Sequence, residues 1–153
     1  MKFAADAMLG KLARWLRILG CDVSYNPSVS LKELVESANR DERIFLTRRK
    51  SFPHGVEPIT LFNVLSEYFP EQLRRVIRHF DLDTNGRLFT RCLDCNTEVI
   101  RVEKSQIKNR VPEKSWEGFN EFFECPSCQT IYWGGAHRRN TLNRLRRILQ
   151  SDQ

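Results

Sequence analysis

The stretch Phe3–Gly20 restricts the possible folds of this chain more than any other. Phe3–Ala5 is a short apolar run that stops at a carboxylate, Asp6. The hydrophobic period then changes: Leu9, Leu12, Leu16 and Leu19 recur at helical spacing, and Gly20 follows as a C-terminal stop. Lys11, Arg14 and Arg17 step by three along the same helix, on a face expected to lie away from the leucines. A strand that ends in an acid and runs directly into a basic helix suits a metal ion and a phosphate backbone. An ordinary helix with a solvated charged face has the same pattern, and the stretch alone fits that plainer description better.

The rest of the N-terminal half repeats the alternation. Cys21–Tyr25 reads as a second strand, broken by Asn26-Pro27. Ser30 stands three residues before Glu33, a capping-box spacing, and opens a helix over Leu31–Asn39 with Leu34, Val35 and Ala38 inward. Arg43–Thr47 reads as a third strand and Ile59–Phe62 as a fourth, with a turn-rich loop over Ser51–Pro58 between them. Pro70 begins a helix that continues to Phe80. Strands separated by helices at this spacing imply a parallel sheet with crossover helices, so residues 1–82 are expected to form an α/β domain. Such sheets bind ligands at the carboxyl ends of their strands, where Asp6 and Thr47-Arg48-Arg49 fall. No Gly-rich phosphate fingerprint is present, which argues against a nucleotide cofactor.

Asp81–Gly86 reads as a polar hinge with an Asn-Gly turn. Beyond it, short strands are expected over Arg87–Arg91, Glu98–Glu103 and Ile131–Trp133, around two Cys-x-x-Cys pairs, Cys92/Cys95 and Cys125/Cys128. Two such turns can supply four thiolates to one tetrahedral ion, the preference of Zn²⁺ in closed structural sites. A thioredoxin-type redox motif accounts for one pair but poorly for two, and sequence alone does not separate zinc from iron. Structural zinc fits the ligand type and pairing best, with Cys92, Cys95, Cys125 and Cys128 as ligands in a module over residues 87–137. The fifth cysteine, Cys21, reads as a small packed residue. The aromatic residues Trp116, Phe119, Phe122, Phe123, Tyr132 and Trp133 read mainly as the core of this small module. Residues 138–153 are expected to form a basic amphipathic helix, over Thr141–Gln150, and a tail.

The chain has a net charge of +6, and its arginines are clustered at Arg48/Arg49, at Arg74/Arg75/Arg78 and near the C-terminus. Clusters of this kind favour a polyanionic partner, RNA or DNA ahead of lipid or protein, because each neutralised phosphate releases counterions. There is no apolar run of about 18 residues, so no membrane span is expected. The charges at Lys11, Arg14 and Arg17 also exclude a signal-peptide core, and the sequence reads as cytoplasmic and unprocessed.

With Asp6, MLGKLARWLRILGCDV, the IFLTR strand end, RCLDC, ECPSC and YWGGAH in view, the chain resembles the Mut-seven C-terminal ribonuclease domain family, a PIN-like nuclease fold followed by a zinc ribbon. The resemblance covers nearly the whole chain. It implies an endoribonuclease that uses a divalent ion, Mg²⁺ or Mn²⁺, held by clustered carboxylates, with RNA as partner. Carried over by position, Asp6 matches the first-strand acid, the four paired cysteines match the zinc ligands, and Lys11, Arg14 and Arg17 match the basic first helix. Glu33 is the nearest candidate for a second catalytic carboxylate, and Arg48 and Arg49 are candidate RNA contacts. The family's Thr-Arg-Asp is Thr47-Arg48-Arg49 here, a cation where an acid is expected. That departure leaves two expectations open: a metal-dependent ribonuclease, or a module that binds RNA without cutting it.

Overall fold

The computed structural model describes residues 1–151. It divides into two compact units, Met1–Asn96 and Thr97–Gln153. The segment Arg87–Asn96, expected with the cysteine module, groups with the first unit; the hydrogen bonds responsible are given below.

In the first unit, β1 (Lys2–Ala5), β2 (Asp22–Ser24), β3 (Ile44–Thr47) and β4 (Leu61–Asn63) form a sheet in the order β2-β1-β3-β4. All its pairings are parallel. The helices are α1 (Gly10–Ile18), entered through a short 3-10 turn at Ala7–Leu9, α2 (Leu31–Arg40) and α3 (Phe69–His79). The chain steps from β1 to β2 in one direction and then returns past β1 to β3. The crevice between the carboxyl ends of β1 and β3 is therefore the topological switch point, where open parallel sheets place their ligands.

Both faces of the sheet are covered, which is why its two central strands, β1 and β3, read as near-continuous apolar runs. Ala4 and Phe45 pack with Leu34, Val35 and Ala38 of α2. On the opposite face, where α1 contacts α3, the rings of Phe3 and Phe62 meet Phe80 at 5.2 and 5.0 Å. Leu12, Leu16, Leu73 and Val76 are fully buried there. The helix α2 starts as its sequence requires. Ser30 accepts from the Glu33 backbone, and the Glu33 carboxylate accepts from the Ser30 backbone, a complete capping box.

The fourth strand begins two residues later than expected and ends one later, and Ile59 lies outside it, 80% exposed. Its register is set by pairing with β3, Phe45 to Leu61 and Thr47 to Asn63, which a local apolar pattern does not encode.

The second unit carries an antiparallel sheet of β5 (Ile100–Val102), β6 (Phe122–Glu124) and β7 (Ile131–Trp133), with α4 (Glu113–Gly118) and α5 (Ala136–Gln150). Among its described residues the buried apolar ones are few: Ile107, Phe122, Cys125, Leu145 and Ile148. Phe122 is the only one of the expected core aromatics to be fully buried; Trp133 lies 6.2 Å from it, half-exposed. Trp116 is also half-exposed, donates from its indole to the Lys104 carbonyl at 2.8 Å, and carries the ammonium groups of Lys104 and Lys108 over its ring. Sequence periodicity missed β6 and α4, each too short to show a period. The expected strand at Arg87–Arg91 forms only a bridge at Arg91. The final helix begins five residues earlier than expected. No described helix is long and apolar enough to cross a membrane.

Candidate functional site

Asp6 follows the last residue of β1, and its backbone N–H donates to the Leu46 carbonyl at 2.9 Å, extending the β1–β3 pairing to the sheet's edge. Its side chain is 1% exposed. A buried carboxylate needs donors, and two converge on the same oxygen: the Thr47 hydroxyl donates to Oδ2 at 2.6 Å and Arg49 Nε donates to Oδ2 at 2.9 Å. The arrangement is itself braced. The Arg49 backbone N–H donates to Thr47 Oγ1 at 2.9 Å, and the Asn63 amide donates to the Arg49 carbonyl at 2.7 Å. No donor among the described residues reaches Oδ1.

Arg48 turns the other way, toward the segment between β4 and α3, and pairs with Glu67 at 2.5 Å. Its buried Nε has no hydrogen-bond partner among the described residues. Lys11 and Arg14 are exposed, as the helical spacing predicts. Lys11 lies over the Phe69 ring at 4.8 Å, and Arg14 makes a solvent-exposed pair with Asp94 at 3.4 Å. Such an exposed pair leaves the arginine able to exchange partners at little cost.

One expectation is corrected. Arg17 does not share the exposed basic face: it is 5% exposed. Its Nε and NH2 groups both donate to the Val23 carbonyl, at 3.1 and 2.9 Å, and its NH1 group donates to the carbonyls of Leu93 and Asp94 at 2.9 and 3.1 Å. The three-residue step carries it from the solvated face onto β2, where long side chains at a helix end can still find carbonyls. Glu33 is the capping partner that its spacing from Ser30 predicts. Its Oε2 accepts from both the backbone and the hydroxyl of Ser30, each at 2.9 Å. Those hydrogen bonds stabilise the ionised form and hold its carboxyl below the usual glutamate range. The structure gives Glu33 the capping role, and among the described residues no metal-ligand cluster joins it to Asp6.

The paired cysteines do converge. The Sγ atoms of Cys92, Cys95, Cys125 and Cys128 all lie within 4.8 Å of one another. In a tetrahedral site with Zn–S bonds of about 2.3 Å the sulfurs stand roughly 3.8 Å apart, so the cluster has the size and donor chemistry of a zinc ribbon. Each pair sits on the same kind of turn. The Asn96 N–H donates to the Cys92 carbonyl at 3.0 Å, and the Gln129 N–H donates to the Cys125 carbonyl at 2.9 Å. Asn96 and Gln129 both adopt positive φ, 71° and 65°. Among the described residues this is the one group of three or more His, Cys, Asp or Glu side chains gathered as metal ligands. Asp6, joined to a guanidinium, does not fit a dedicated divalent-cation site. The fifth cysteine, Cys21, is half-buried, and burial pushes its thiol up, away from the reactive thiolate.

Sequence reasoning named Asp6, Arg48 and Arg49, placed Thr47 at the same edge without a role, and missed Asn63 and Glu67; these three orient them. The signal was available for Thr47, a polar residue closing an apolar strand beside the acid's own strand. The partners on the β4 side depend on register.

A four-stranded parallel sheet with a buried aspartate at its switch point, together with four clustered cysteines able to hold a metal ion, defines a parallel α/β protein with a cysteine-ribbon element. The Mut7-C RNAse domain family matches residues 1–145, and the chain belongs to that family. Comparison with curated proteins and with solved structures found no significant match.

Proposed function

We propose that this chain binds RNA at the carboxyl edge of its parallel sheet and holds it there without cutting it, with the four cysteines carrying a structural zinc ion. Family membership supports RNA as the ligand. The observation that supports holding over cutting is the Asp6–Arg49 pair at 2.9 Å, which puts a cation where a catalytic divalent ion would need a clear approach to the carboxylate. A guanidinium also recognises phosphate oxygens directly. Arg49, half-exposed, and Arg48, with its unpartnered Nε, are the phosphate contacts at this edge, with Lys11 and Arg14 on the adjoining helix. Arg17, being buried, is left out of that set. The exposed Arg139, Arg144, Arg146 and Arg147 of α5 supply further charge for a polyanion.

A second reading, divalent-metal-dependent hydrolysis of RNA, is favoured by the family. It requires Arg49 to leave the carboxylate, since an ion on Oδ1 would otherwise sit beside a positive charge.

The test is cleavage of end-labelled single-stranded and structured RNA with Mg²⁺ or Mn²⁺, with EDTA controls and with binding followed by anisotropy in the same tubes. Wild type is expected to bind with an affinity that falls steeply with salt and to leave the RNA intact. Arg49→Ala is expected to weaken binding. Metal-dependent cutting that disappears in Asp6→Asn would replace this proposal with the hydrolytic reading.

A further inference from the structure

The first cysteine turn, Cys92–Asn96, is anchored from outside itself. Arg17, buried in α1, reaches the carbonyls of Leu93 and Asp94, the two residues between the cysteines, at 2.9 and 3.1 Å. The rest of its guanidinium donates to the Val23 carbonyl of β2. Asn96, the residue just after the pair, accepts from the Val23 N–H at 2.9 Å and donates to Asp22 at 2.7 Å. Asn is among the few side-chain-bearing residues that tolerate positive φ, and this one uses the conformation to hold a strand end on both sides. Arg91 donates to the Asn96 carbonyl at 2.8 Å. All of these groups lie in the Met1–Asn96 unit.

The inter-cysteine carbonyls are thus held by a buried side chain of the α/β core. The second turn is held from within its own unit, by the Cys125–Thr130 backbone pair, the Thr130 hydroxyl near Cys128 Sγ, and Arg110, exposed, on the Gln129 carbonyl at 2.9 Å.

We infer that Arg17 and Asn96 are positioning residues for the metal: they dock the first cysteine turn on β2, so that half of the thiolate site is formed before the ion binds. Outer-shell groups that fix metal ligands typically change affinity by about ten- to a hundredfold when removed. The arginine has a second effect, since a buried positive charge beside a four-thiolate zinc site offsets part of that site's net negative charge. The inference rests on the zinc-ribbon assignment, and its two measurements fail separately from it.

In the first measurement, Zn²⁺ affinity of the full chain is obtained by competition with a chromophoric chelator, together with the visible spectrum of the Co²⁺ form. Asn96→Gly keeps the positive φ and removes only the side-chain bonds; a ten- to hundredfold loss of affinity is expected with an unchanged far-ultraviolet spectrum. Arg17→Met is expected to lose as much or more, and Arg17→Lys to recover part of it. Folded Asn96→Gly with affinity within twofold of wild type would overturn the inference, whether or not Arg17→Met folds. The second measurement is amide exchange on metal-stripped wild type, which needs no metal affinity. The Asn96 amide is expected to stay protected while the Gln129 amide loses protection; equal loss at both would overturn the inference. A wild type that binds neither Zn²⁺ nor Co²⁺ while keeping the Asn96 amide protected would refute the zinc assignment and leave the docking of the turn standing.

Discussion

At the scale of single residues, the charges that matter most in this chain are buried ones that have found specific donors. Asp6 shows what happens when a catalytic-looking acid is given a cation in place of other acids: the carboxylate becomes a hinge pin between β1 and β3, joined to Thr47 and Arg49. Asp6→Asn keeps the shape and the Thr47 contact but leaves Arg49 without its counter-charge. Hydrogen bonds to charged groups contribute about 1.5–3 kcal/mol, and a loss in that range is expected in urea unfolding. An unchanged midpoint would show that the pair adds nothing to stability. Asp22 gives a pH-dependent counterpart. Burial alone would push its carboxyl up, but hydrogen bonds from Arg43 and Asn96 outweigh that and hold it below the usual aspartate range. Its folded value lies below the unfolded one of about 3.9. Its stabilisation is therefore fully present above about pH 4 and is lost as pH falls through the depressed folded value. Wild type should lose stability on acidification more steeply than Asp22→Asn, the two curves converging at low pH; parallel curves would contradict the assignment.

At the scale of elements, what could be read from the sequence was what local physics decides. The capping box of α2 was legible because both partners lie within one turn, and Ser30→Ala should lower stability by about 1 kcal/mol, measured by thermal or urea melts. The order of α/β elements in the first unit was legible from the change between strand-like runs and helical period. Gly20 illustrates both the legible and the hidden. Its role as the stop after α1 follows from sequence, and its φ of +81° agrees. The close approach of the Arg87 carbonyl to where a Cβ would stand does not, because that carbonyl arrives from a distant segment. Gly20→Ala should cost about 1–3 kcal/mol from backbone strain alone, and more if the Arg87 carbonyl cannot move. The residues that sequence misassigned failed for the same reason. Arg17 reads as one of three basic residues on a helix face until the carbonyls of Val23, Leu93 and Asp94 are in place around it. Thr47 reads as the end of a strand until Asp6 lies beside it. The acidic site was legible as a residue, Asp6, and its state was legible only as a contact.

At the scale of the whole molecule, the two units are stabilised by different means, and metal removal should separate them. Met1–Asn96 has a sheet covered on both faces, whereas Thr97–Gln153 has a short sheet and few fully buried side chains. Units of the latter size rarely bury enough apolar surface to fold alone and commonly depend on a disulfide or a metal. A structural Zn²⁺ contributes on the order of 10–16 kcal/mol in small zinc-finger peptides, far more than the second unit's apolar core can supply. Chelation should therefore abolish or strongly lower the unfolding transition of Thr97–Gln153 and leave that of the α/β unit within a few degrees of its original midpoint. The tryptophans report on this by position, Trp15 in the first unit and Trp116 and Trp133 in the second. In variants that keep only one of these tryptophans, the fluorescence of Trp116 and Trp133 should shift toward the solvent-exposed wavelength on chelation, while that of Trp15 stays constant until the α/β unit melts. Restoring Zn²⁺ should reverse the shift. A single transition with an unchanged midpoint, and no movement of Trp116 or Trp133, would mean that the second unit holds its fold without the ion and that its cysteines serve some other end.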